Sequence, residues 1–167
     1  ILSICGSPRA GNSETILLYL QKIFQDKGHQ NEIILLRQKQ IEHCHGCVEF
    51  CNHQLKCRLR DDFDSLIHKI ESADAFVFVC PNYFQMPPGI FKDFIDRFSI
   101  FYTRWDEKRF KNKKAIVVCI GADAPAKTDI CTNNVADNFC RTSGLVVVGR
   151  KSFQSKSELK GNLNDIF

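Results

Sequence analysis

The sequence predicts an α/β fold in which a parallel sheet of five strands carries helices on both faces. Three observations lead there. Short apolar runs alternate along the chain with segments whose apolar residues recur at helical spacing. The central runs are apolar throughout, as strands covered on both faces are. Helix-length segments, not tight turns, join the strands, so each connection is a right-handed crossover between parallel strands.

The elements follow in order. Ile1 to Cys5 is a short apolar strand ended by Gly6. Asn12 to Lys27 is a helix with Ile16, Leu17, Leu20, Ile23 and Phe24 on one face, and Gly28 is its stop. Glu32 to Leu36 is the second strand. Arg37 to Arg60 shows no clear period, and a loop this long marks function. Asp61 to Glu71 is helical through Phe63, Leu66, Ile67 and Ile70, and two acidic residues open it at the positive end of its dipole. Ala75 to Cys80 is the third strand, and Pro81 to Gly89 is a loop with three prolines. Ile90 to Phe101 is a helix with Ile90, Phe91, Phe94, Ile95 and Phe98 inward. Ala115 to Ile120 is the fourth strand and Gly121 to Lys127 a loop. Asp129 to Thr142 is a helix through Val135, Ala136, Phe139 and Cys140, and Leu145 to Gly149 is the fifth strand. The tail after Gly149 is expected to hold a final helix, incomplete here. The opening at Ile1, without Met, implies a few missing native residues.

Composition narrows the function classes. A length of 167 residues fits one domain over 1–167, and no linker or repeat interrupts it. With 44% hydrophobic residues, 9 Gly and 5 Pro, the chain is neither disordered nor collagen-like. No apolar run approaches the ~20 residues that span a bilayer, and no signal peptide is visible, so no membrane partner is expected. The 23 basic and 19 acidic residues leave a net charge of +4, which argues against a nucleic-acid partner. The basic stretch Arg104 to Lys114 reads as a solvated loop. Cys5, Cys80 and Cys119 lie in apolar strands, and Cys131 and Cys140 in a helix, where cysteine packs as a small hydrophobe. Cys44, Cys47, Cys51 and Cys57 cluster in the polar segment at 37–60. That division points to a reducing cytoplasm and a candidate metal centre.

In a doubly wound sheet the ligand lies beyond the carboxyl ends of the strands. The loops there are Gly6 to Ser13, Pro81 to Gly89 and Gly121 to Lys127. The first joins a strand to a helix start, where free N–H groups and the helix dipole hold anions. Ser7, Asn12 and Ser13 add donors, Arg9 adds a forked charge, and Gly11 completes the turn. Its spacing matches G-x-x-x-x-G-K-[ST] except that Asn12 replaces the lysine, which argues against a triphosphatase. Pro8 breaks a dinucleotide fingerprint, and Arg9 stands too early for a phosphatase built on Cys5. A single terminal phosphate, as on FMN, fits best.

Here the sequence resembles the NADPH-dependent FMN reductase and iron–sulfur flavoprotein group of the flavodoxin-like superfamily. The resemblance rests on Gly6-Ser7-Pro8-Arg9 with Gly11-Asn12-Ser13, on Cys57 followed by Asp61-Asp62-Phe63, on Pro81-Asn82-Tyr83-Phe84, and on Lys92 with Asp96-Arg97. It is specific in combination over residues 1 to 120 and weak from Gly121 onward. It implies a three-layer flavodoxin-like fold with strand order 2-1-3-4-5. By the same resemblance Ser7, Arg9, Asn12 and Ser13 hold the FMN phosphate. Pro81, Asn82, Tyr83 and Phe84 lie along the ribityl chain and ring, and Gly121 and Ala122 close the ring's other edge. Tyr83 and Phe84 offer flat apolar surface for such a ring, against the alternative that they pack into the core. Lys92, Asp96 and Arg97 read as structural, a helix-surface ion pair or subunit contact.

The cysteine spacing, Cys44-x2-Cys47-x3-Cys51-x5-Cys57, suits a four-iron cluster, although the resembling flavoproteins have a two-residue middle gap. Zinc on cysteines with the interleaved His43, His45 and His53 is an alternative, and plain thiols are another. The expected function is hydride transfer from NAD(P)H to bound FMN, and from there to a quinone, a nitro or azo compound, a metal complex or a redox protein. No side-chain acid or base is required. The alternatives are an iron–sulfur electron carrier and a zinc- or thiol-based regulatory module. The resemblance also implies a homodimer or homotetramer.

Overall fold

The computed structural model describes residues 1–54, 56–102 and 110–155. Its strands are β1 (Leu2–Cys5), β2 (Glu32–Leu35), β3 (Ala75–Pro81), β4 (Lys114–Gly121) and β5 (Val146–Gln154). They form one five-stranded parallel sheet in the order β2-β1-β3-β4-β5. This is the flavodoxin-like order, whose switch point between β1 and β3 opens a crevice at the strands' carboxyl ends.

Side-chain alternation along each strand assigns the two faces. Val77 and Val79 of β3 point to α1 (Asn12–Asp26), whose Ile16, Leu17 and Leu20 pack on them with Val118, Ile120 and Phe153. Phe76, Phe78 and Cys80 point to the opposite face. There α3 (Asp62–Ser72), α4 (Gly89–Arg97) and α5 (Pro125–Asn133) close a larger core rich in phenylalanine. Phe78 meets Phe139 at 5.3 Å between ring centroids, and Phe94 meets Phe98 at 5.1 Å. Each fully buried phenylalanine contributes on the order of 2 kcal/mol of apolar burial. α1 ends where the sequence places its stop. Gly28, at φ 79°, lets its own N–H reach the Gln25 carbonyl and the His29 N–H reach the Phe24 carbonyl.

Four features differ from the sequence reading. The segment 37–60 is not all loop: Val48–Gln54 forms α2, a helix of 7 residues too short to show a period. Leu36–Gln38 and Phe98–Tyr102 are 3-10 turns, so the second strand and the fourth helix each end earlier than expected. α5 starts at Pro125, inside the stretch read as loop, because proline suits the first helical position; a π-helical stretch, Asn134–Arg141, continues it. β5 runs past Gly149 to Gln154, the exposed Arg150 and Lys151 lying on an edge strand. The expected final helix falls largely on 156–167, and much of the basic stretch on 103–109, outside the described residues. Among the described residues no helix is long and apolar enough to cross a membrane.

Candidate functional site

The loops after β1, β3 and β4 meet in one crevice. A cavity of 320 Å³ is lined by Ser7, Arg9, Gly11, Asn12 and Ser13, by Pro81, Asn82 and Tyr83, and by Gly121 and Ala122. The structure thus brings together every cofactor residue proposed from sequence except Phe84. Phe84 lines an adjoining, more open cavity of 660 Å³ with Gln85, Asp123 and Lys127.

The first loop is folded by its own serine. Ser7 Oγ donates to the Arg9 carbonyl at 2.7 Å and accepts from the Arg9 N–H at 3.3 Å. Gly11 is the N-cap of α1 and has no side chain to cap it, so the first N–H groups of the helix are left for an external acceptor. A Cβ on Gly11 would meet no atom within 4 Å, so the space before the loop is open. Ser13 is buried and Arg9 is exposed. Asn12 Nδ2 donates to the Ser155 carbonyl at 3.2 Å, and the Ser155 N–H donates to the Gly121 carbonyl at 2.7 Å. Ser155 is a lining residue that sequence reasoning missed, hidden beyond the polar end of β5. Cys5 is buried, and burial pushes its thiol up, which disfavours the thiolate a phosphatase would need.

The second loop is fastened by the Asn82 N–H, which donates to the Ile120 carbonyl at 2.7 Å. Tyr83 and Met86 exchange backbone bonds at 2.9 and 3.0 Å around Phe84 (φ 52°) and Gln85 (φ 65°). Positive φ at both central residues makes a type I′ turn, and strain of this kind collects at functional sites. Phe84 at the tip is 101% exposed and Tyr83 43%, so neither ring is spent on the core. Asn82 Oδ1 is buried with no partner among the described residues. Such an acceptor calls for a donor from water or from a ligand. Gly121 leaves no room for a side chain, since its Cβ would stand 2.1 Å from Thr128 Oγ1. An open helix start, clear space, an unpaired acceptor and free aromatic faces together fit a phosphate-tailed aromatic cofactor.

The cysteine loop has a closed neck. The Asp62 N–H donates to the Gln40 carbonyl at 3.1 Å, and the Gln40 and Glu42 N–H groups donate to Asp62 and Asp61 at 2.8 Å each. Arg97 was expected on the helix surface, yet it is 1% exposed. Its guanidinium donates to both oxygens of Asp61, at 2.5 and 3.0 Å, and to the Glu42 carbonyl at 3.1 Å. Burial alone would raise the Asp61 carboxyl, but bonds from Arg97 and from the Glu42 and Phe63 N–H groups outweigh it and hold the carboxyl down. A charged side chain goes inside only when paired, and the partner lies 36 residues away in sequence. Lys92 and Asp96 do form an exposed ion pair, at 2.6 Å.

Within the loop, Cys51 and Cys57 are buried and Cys44 and Cys47 half-buried. The Cys51 N–H donates to the Cys47 carbonyl at 3.1 Å, setting the two thiols one turn apart. Burial, with Cys47, Cys57 and Cys44 around it, pushes the Cys51 thiol up to about 11. The Arg97 guanidinium reaches Cys57. No three cysteine or histidine ligand atoms of this loop lie within 4.8 Å of one another among the described residues. A tetrahedral zinc ion would hold thiolates about 3.8 Å apart.

Comparison with known proteins fits this geometry. A family model described as NADPH-dependent FMN reductase matches residues 1–158. An iron–sulfur flavoprotein of Archaeoglobus fulgidus is 35% identical over 113 residues, 68% of this chain and 54% of that protein. The chain thus spans about half the length of that relative. An iron–sulfur flavoprotein of Methanosarcina thermophila is 27% identical over 155 residues, 91% of this chain and 78% of that protein. An NAD(P)H:quinone oxidoreductase of Methanothermobacter marburgensis shares the fold, with a TM-score of 0.74, 17% identity, and 92% of this chain and 83% of that one covered. The chain belongs to the NADPH-dependent FMN reductase family.

Proposed function

We propose that the chain is an FMN-dependent oxidoreductase that takes hydride from NAD(P)H and passes electrons to a quinone, a nitro or azo compound, or a redox protein. The observation that carries this reading is the uncapped start of α1, opening on a crevice whose wall holds the unpaired Asn82 Oδ1. Bound there, FMN supplies the hydride chemistry, and the protein supplies position and electrostatics. The N–H groups of α1, with Ser13 and Arg9, hold the phosphate. Asn82 accepts a hydrogen bond from the cofactor, and Tyr83 and Phe84 cover its apolar face. No side-chain acid or base takes part. The division of the nine cysteines between apolar elements and one polar loop suits a reducing cytoplasm, and family membership favours a homodimer or homotetramer.

Riboflavin, which lacks the phosphate, provides the test. Charge-assisted hydrogen bonds contribute roughly 1.5–3 kcal/mol, so Arg9→Ala and Ser13→Ala should each weaken FMN about 10-fold or more. Riboflavin affinity should not change. Equal loss for both ligands, or no loss for FMN, would count against the phosphate site.

A second reading is an iron–sulfur flavoprotein that carries electrons through a cluster on Cys44, Cys47, Cys51 and Cys57. The observation favouring it is the stapled neck of a loop in which three thiols, Cys44, Cys47 and Cys57, stand around Cys51, and the names of the two relatives agree. Under this reading Cys47→Ala loses iron but keeps FMN; iron retained at the native level sinks it.

A further inference from the structure

Three other thiols meet below the crevice, outside the cysteine loop. Cys80 of β3 and Cys119 of β4 are direct partners across the sheet, and Cys131 comes down on them from α5. The three sulfurs all lie within 4.8 Å of one another. Cys80 Sγ and Cys119 Sγ are 3.6 Å apart. None of the three residues is more than 1% exposed. We infer that Cys80, Cys119 and Cys131 form a three-coordinate site for one soft metal ion, and that monovalent copper is the ion it suits.

The distances are those of a ligand set. A metal–thiolate bond of about 2.3 Å places three coplanar thiolates about 4.0 Å apart. The Cys80–Cys119 separation of 3.6 Å is close to that value and the other two lie within 4.8 Å, so closure on an ion needs only small side-chain shifts. Two neighbouring strands and a helix supply the sulfurs, and rigid elements hold a site better than a loop does. An all-sulfur set selects soft ions such as Cu(I) or zinc. Structural zinc takes four ligands, and no fourth histidine, cysteine or carboxylate atom joins this group among the described residues.

Hydroxyl groups stand around the sulfurs. Thr132 Oγ1 donates to the Thr128 carbonyl at 3.2 Å, lies 2.7 Å from Ser152 Oγ, and stands beside Cys119. A hydroxyl beside a sulfur stabilises the ligand thiolate by turning its proton toward it once the thiol proton has left. Pro81 and Ile120, which follow Cys80 and Cys119, both line the crevice, so the thiols lie one residue away from its wall along each strand. Packing alone explains why each cysteine is buried. It does not explain why three separate elements bring their sulfurs to one point.

The test separates this group from the loop thiols. The full chain and a variant with Cys44, Cys47, Cys51 and Cys57 all replaced by serine are titrated anaerobically with Cu(I) against a chromophoric chelator. The variant should hold one Cu(I) per chain, with three sulfurs at about 2.3 Å by X-ray absorption. Adding Cys131→Ser should weaken it at least ~100-fold, as loss of a ligand exceeds loss of an outer partner. If the fourfold variant does not fold, Cys131→Ser in the native chain must lower the copper stoichiometry by one. The inference fails if the folded fourfold variant yields all its copper to the chelator or shows fewer than three sulfur ligands. It fails equally if Cys131→Ser changes neither affinity nor stoichiometry.

Discussion

Replacing Arg97 with methionine removes one charge from a pair almost wholly out of water, the side chains being 1% and 5% exposed. Asp61 then loses both guanidinium bonds and keeps those from the Glu42 and Phe63 N–H groups. Breaking a buried pair from one side costs about 3–5 kcal/mol. The two remaining bonds favour the lower end, about 3 kcal/mol, a large share of a total of roughly 5–15 kcal/mol. The effect also has a sign in pH. In the native chain Asp61 is held below its ordinary range, so its contribution is present above about pH 4 and is lost as pH falls through the lowered value. In Arg97→Met burial dominates and the carboxyl rises. Acidification then neutralises a stranded charge, and the deficit against the native chain narrows from pH 7 toward about pH 4. Asp61→Asn with Arg97→Met should recover at least half the loss, because a neutral pair leaves no stranded charge. Urea denaturation of the native chain and these variants at neutral and mildly acidic pH measures all of this. A loss below about 1 kcal/mol, or a deficit that does not change with pH, would refute the reasoning.

Two further substitutions probe the crevice. Gly121→Ala forces a Cβ against Thr128 Oγ1 and should cost about 1–3 kcal/mol by thermal unfolding, with Thr128→Ala restoring part of it; an unchanged Tm would show that the loop moves freely. Asn82→Leu removes a buried unpaired acceptor, so the flavin-free protein should gain about 1 kcal/mol while FMN binding weakens about 10-fold. A flavin-free protein that is destabilised, with FMN affinity intact, would mean that the side chain serves the fold alone.

Much of the fold was legible because the central strands are hydrophobic end to end. Val77, Val79, Val118 and Phe78 carry both faces of the sheet, and no polar residue confuses the pattern. The first loop was legible because its donors, Ser7, Arg9, Asn12 and Ser13, concentrate in one turn. What stayed hidden depends on contacts distant in sequence. Arg97 looks like a surface residue until Asp61 is brought beneath it. Ser155 enters the crevice only because β5 continues through Arg150 and Lys151, which read as the end of a strand. α2 has too few residues for a period, and its place is fixed by Cys51 turning into the core. The grouping of Cys80, Cys119 and Cys131 follows from register between strands and from a helix start that the loop reading had placed later.

The most direct measurement is the visible spectrum of anaerobically purified protein, with released flavin and iron quantified on the same sample. The account predicts about one FMN per chain, retained through purification or regained on incubation. About four irons per chain in addition would assign the cluster to the cysteine loop. Protein that binds no flavin, even after incubation with FMN, would contradict the assignment of the crevice.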